Sequence, residues 1–78
     1  MQYFEKEING IKVVVSECYQ FPMGDCYKGV VYEDGKEIGH MHNNSFDNCK
    51  AWVCEFLQRK IDESKKYENM LSALRVVW

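Results

Sequence analysis

The chain has 78 residues, 10 basic against 12 acidic, and a net charge of −2. That is room for a single domain, residues 1–78, with one small core, because a chain of this size buries little more than about 60% of the surface its unfolded form exposes. The balanced charge supplies no field to draw in nucleic acid or an anionic membrane, and no run approaches the roughly 18 apolar residues of a membrane-spanning helix.

At 46% hydrophobic and 14% aromatic, the composition is that of a folded protein. The start, Met-Gln-Tyr-Phe-Glu-Lys-Glu, lacks the basic-then-apolar order of a signal peptide. The expectation is a cytoplasmic protein whose four cysteines, Cys18, Cys26, Cys49 and Cys54, are free thiols.

Residues 2 to 18 read as a hairpin folded at Asn9-Gly10, a dipeptide suited to the φ > 0 that both positions of a type I′ loop need. A two-residue loop pairs Ile8 with Ile11, Lys6 with Val13 and Phe4 with Val15. One face then carries Phe4, Ile8, Ile11, Val13 and Val15, broken only by Lys6. Glu7 and Lys12 pair on the other. Turn chemistry and face polarity agree.

Residues 19 to 26, with the only proline, read as a loop between hairpins. Tyr19, Phe21 and Met23 are much apolar surface for such a loop. Cys18 and Cys26 flank its seven-residue interior, a span short enough to bring them close. A second hairpin turns at Asp34-Gly35 and is expected to pair Tyr32 with Glu37, Val31 with Ile38 and Val30 with Gly39. On that register Val31, Ile38, Gly29, His40, Tyr27 and His42 share one face, and Val30, Tyr32, Met41 and Cys26 the other. Neither face is plainly polar, so the pattern leaves open which one is covered.

Ser45 can cap a helix, with Asp47 in the first turn favouring its positive end. Phe46, Cys49, Val53, Phe56 and Leu57 recur at helical spacing, bordered by Trp52 and Ile61. A second apolar set follows in Tyr67, Met70, Leu71, Leu74, Val77 and Trp78. One unbroken helix from 46 to 78 would run about 50 Å, beyond the span of so small a domain. Two helices with a turn around Asp62 to Lys66 are expected. A single long helix paired with a second chain, giving a homodimer, is the alternative.

The fold class is therefore α+β: two consecutive hairpins forming a four-stranded antiparallel sheet, then one or two C-terminal helices packed on one face.

His40-Met41-His42 is the only ligand-like spacing, since i and i+2 on a strand project together. No Cys-x-x-Cys completes a metal site, and no Cys–His–carboxylate set marks a thiol enzyme. A non-enzymatic protein without cofactor or metal is the expectation, with metal binding a lesser alternative. The hairpin and the helix containing Asn48-Cys49-Lys50-Ala51 have a partial likeness to double-stranded-RNA-binding domains. That family needs a lysine cluster at the helix start, where this chain has Lys50 alone. The pairs Arg59-Lys60 and Lys65-Lys66 are interleaved with Asp62, Glu63 and Glu68, the pattern of a solvated helix face. Nucleic-acid binding or a regulatory role is the alternative reading.

The order of elements, with Gly35-Lys36-x-x-Gly39, Ser45-Phe46-Asp47 and Trp52, resembles small phage anti-CRISPR proteins that inhibit the type I-F surveillance complex. The resemblance covers about a third of the chain and rests on turn, cap and core positions. It implies a phage or mobile-element inhibitor that occupies a partner's surface and performs no chemistry. The residues themselves point to a protein-binding module. Its candidate contact surface is Tyr19, Phe21, Met23, Tyr27, His40, His42 and Trp78, aromatic and uncharged groups of the kind enriched at interfaces.

Overall fold

Two dipeptides frame the sheet. In the computed structural model, which describes residues 2–20 and 24–78, Asn9 and Gly10 take φ of 52° and 84°, and Asp34 and Gly35 of 53° and 83°. Both loops therefore have the left-handed pair expected of type I′ geometry. They also touch: the Asp34 amide donates to the Gly10 carbonyl at 2.8 Å.

The strands β1 (Tyr3–Ile8), β2 (Ile11–Gln20), β3 (Gly24–Glu33) and β4 (Lys36–Asn43) form one antiparallel sheet in the order β1-β2-β3-β4, followed by α1 (Phe46–Lys60) and α2 (Lys65–Val77). The fold is α+β, as expected. The first hairpin keeps its expected register, with Phe4 opposite Val15 and Lys6 opposite Val13.

The expected loop at residues 19 to 26 is corrected. β2 runs on to Gln20 and β3 starts at Gly24, with Cys18 opposite Cys26 and Tyr19 opposite Asp25. Backbone pairing carries the ladder past the point where side-chain pattern stops reporting it. Gly24, with φ +83°, supplies a conformation that a side chain would strain.

The second hairpin keeps Glu33–Lys36 and Tyr32–Glu37 but then shifts, pairing Val31 with Gly39, Val30 with His40 and Lys28 with His42. One extra residue, Ile38, makes a β-bulge. Every position beyond it changes face relative to the expected register. Gly39 and Met41 join Val31 on the helix side, while His40 and His42 join Val30.

The core lies between that face and the helices. Ile11, Val13, Val15 and Val31 from the sheet meet Cys49, Val53 and Leu57 of α1 and Tyr67, Met70, Leu71 and Leu74 of α2, all buried. α1 lies over β2, β3 and β4, and α2 over β1 and β2. Ser45 caps α1, its hydroxyl accepting from the Asn48 amide at 3.2 Å. The chain then turns before Ser64, which caps α2 through the Lys66 amide. The stripe Tyr67, Leu71, Leu74 is thus buried within its own chain. Val77 departs from expectation at 54% exposed: it lies on the outer side of the last helical turn. No helix of the described residues is long and apolar enough to cross a membrane.

Tyr67 ties α2 to the turn end of the sheet, donating to Glu33 at 2.5 Å. Burial first, and then that hydrogen bond, push its phenol up to about 12 from the usual 10.0. The folded state favours the neutral phenol, so its contribution is complete below the unfolded value and is lost as pH rises through the folded one. About 2–3 kcal/mol should disappear across that window. Urea unfolding at about pH 9 and about pH 11.5 is expected to show a smaller decline for Tyr67→Phe than for the wild type. Equal declines would remove Tyr67 as the group responsible.

Candidate interaction surface

β2 and β3 outrun both of their neighbours. β1 stops at Tyr3, opposite Ser16, and β4 stops at Asn43, opposite Tyr27, whereas β2–β3 pairing continues to Gln20 and Gly24. Residues 17–20 and 24–26 therefore form a two-stranded ribbon beyond the four-stranded sheet.

Tyr19 sits on this ribbon at 70% exposure. Phe21 and Met23 lie outside the described residues. The other expected contact residues separate. Tyr27 is half-buried and meets Phe46 edge-on at 5.5 Å between centroids. Trp78 is half-buried against Phe4 at 4.9 Å, with the Lys50 ammonium 5.8 Å from its ring centroid. Both finish the edges of the core, as amphipathic aromatics do when an apolar neighbour is in reach.

His40 and His42 lie on the opposite, uncovered face, their rings 5.9 Å apart. His40 Nδ1 is 2.8 Å from a Glu37 carboxylate oxygen. Among the described residues, no three His, Cys, Asp or Glu side chains converge as a metal site would require.

Sequence reasoning passed over part of the open face. Lys12 pairs with Tyr32 across its centre and Tyr3 stands at its β1 edge, 61% exposed, whereas Val30, paired with Val14, is covered to 3% exposure. The signal was present in the alternation of β2, where Val14 takes the face opposite Val13 and Val15. Four lysines have acidic neighbours: Lys12 with Glu5, Lys50 with Asp47, Lys60 with Glu63 and Lys66 with Glu33. Such surface pairs add little stability.

At the base of the ribbon an open cleft of about 560 Å³ is lined by Glu17, Cys18, Tyr19, Cys26, Tyr27 and Asn44. Burial, and then a hydrogen bond with Cys26, push the Cys18 thiol up to about 11. No protein-family model matches this chain, and neither a curated protein nor a solved structure matches it. Its reading therefore rests on this geometry and on the residues themselves.

Proposed function

We propose that this protein is a small non-catalytic binding module that acts by seating its β2–β3 ribbon on a protein partner. The observation that carries this reading is Tyr19, a large aromatic held in solvent on a ribbon that extends past both edge strands. A rigid aromatic contributes contact area at low entropy cost, and such residues dominate binding energy at interfaces. The uncovered sheet face, with Tyr3, Tyr32, His40 and His42, adjoins the ribbon and extends the surface. The net charge of −2 favours a protein partner over nucleic acid. Taken with the anti-CRISPR resemblance, this points to a cytoplasmic phage or mobile-element inhibitor that blocks a partner by occupying its surface.

Photo-crosslinkers installed at Tyr19, and separately at Glu55 on the helical side, test the reading in native host cells. A protein crosslinked from Tyr19 and not from Glu55, and no longer retained by Tyr19→Ser, is the expected result. Truncating a central interface aromatic typically costs about 2 kcal/mol or more, a loss of roughly thirtyfold or more in affinity. Equal crosslinking from both positions, or undiminished retention by the serine variant, would rule out the ribbon as the contact.

A further inference from the structure

The pairing of β2 with β3 sets Cys18 directly opposite Cys26. Both residues line the open cleft at the ribbon's base. Cys26 is buried at 3% exposure and Cys18 is half-buried, so Cys18 is the more accessible of the two. Cys49 is fully buried on the helical side and Cys54 lies in a separate groove between the helices with Arg59 and Arg75.

We propose that Cys18 and Cys26 form a reversible oxidation site that takes low-molecular-weight disulfides, oxidised glutathione being the representative reagent, and closes as a cross-strand staple.

Geometry permits the bond. Directly opposed residues of an antiparallel pair have Cα atoms about 4.5–5.5 Å apart, inside the roughly 4.4–6.8 Å range of disulfides. Counted from the two-residue loop at Asn9-Gly10, Ile8 and Ile11 exchange backbone hydrogen bonds, so alternate residues of β2 face β1 and β3 in turn. Cys18 and Cys26 then fall on a hydrogen-bonded pair, the wider kind, with Cβ atoms about 5.5 Å apart, about 1 Å beyond the roughly 3.5–4.5 Å of a disulfide. Closing it draws the strands together and stores strain, and a strained bond is readily reduced. This is the behaviour of a switch and not of a permanent staple.

The chemistry balances in two exchanges. The Cys18 thiolate attacks one sulfur of glutathione disulfide, forming a mixed disulfide and releasing one glutathione thiolate. The Cys26 thiolate then attacks the Cys18 sulfur, forming the Cys18–Cys26 bond and releasing the second. The two electrons lost by the protein dithiol end on two glutathione molecules, and both cysteine protons go to solvent or to those leaving thiolates. Because the Cys18 thiol holds its proton well above neutrality, the first step speeds up as pH rises towards about 11.

The site stands apart from the proposed binding role and does not depend on it. The full chain is incubated with excess oxidised glutathione at mildly alkaline pH, alkylated, and digested after Lys and Arg. Cys18 and Cys26 then fall in one peptide, residues 13–28, and Cys49 and Cys54 in two others. The expected result is loss of two hydrogens confined to the 13–28 peptide, reversed by mild reductant, and a persistent glutathione adduct in Cys26→Ser. Cys18→Ser should leave Cys26 largely unmodified. A 13–28 peptide that stays as the dithiol while another cysteine is oxidised would overturn the proposal. So would a wild-type product that stops at the glutathione adduct.

Discussion

Leu74→Ala is expected to remove about 2–5 kcal/mol of folding stability. Leu74 lies on α2, fully buried against the core that the sheet and α1 build. Its side chain leaves a cavity that close-packed neighbours fill only in part. A single core in a chain of this size rarely supplies more than about 3–5 kcal/mol in all, so the variant should be mostly unfolded at room temperature. Val76, two residues on and on the opposite side of the helix at 85% exposure, is the control; Val76→Ala should stay within about 0.5 kcal/mol of wild type. Urea midpoints for the two variants check the pair. Near-equal midpoints would mean that α2 is not docked on its own sheet, and would return the long-helix dimer to consideration.

The second large effect is at Gly39, and here local preference and packing give opposite signs. Valine is a better strand former than glycine, so propensity alone expects Gly39→Val to stabilise β4. A Cβ at this position would lie 2.6 Å from Phe56 Cε2 and 2.9 Å from Cζ. Phe56 is held in turn by Trp52, 5.2 Å away between centroids, and by the Lys60 ammonium over its ring. Moving it disturbs α1 as well as the sheet, and overpacking of this kind costs about 1–3 kcal/mol. Gly39→Val is therefore expected to destabilise. In a Phe56→Ala background the same change should cost nothing, or gain a few tenths of a kcal/mol. Thermal melts of the four proteins in this cycle decide it. A stabilised single variant would show that the ring moves freely and that Gly39 serves some other purpose.

Where a local rule was complete, the sequence was enough. Asn9-Gly10 and Asp34-Gly35 need only their own φ > 0, and the register of β1 on β2 follows from a loop of fixed length with one apolar face to satisfy. The cap at Ser45 and the stripe Cys49, Val53, Leu57 were equally legible, because capping and periodicity act within a few residues. The start of α2 was blurred for lack of Gly or Pro. Its mark was Ser64, an N-cap residue placed just before the second apolar set.

Three matters were decided only by the tertiary structure. The bulge at Ile38 reverses the face of His40 and His42, and nothing in residues 36–43 alone demands it. It becomes favourable where Ile38 can turn towards the core and Gly39 can lie beneath Phe56. The continuation of β2 and β3 to Gln20 and Gly24 depends on backbone pairing, which side-chain pattern does not encode. The division of the aromatics between core and solvent was hidden for a similar reason. Tyr27 and Trp78 have Phe46 and Phe4 to pack on, and Tyr19 has no such partner among the described residues. Composition alone does not distinguish them, because burial depends on which neighbours the fold brings within reach.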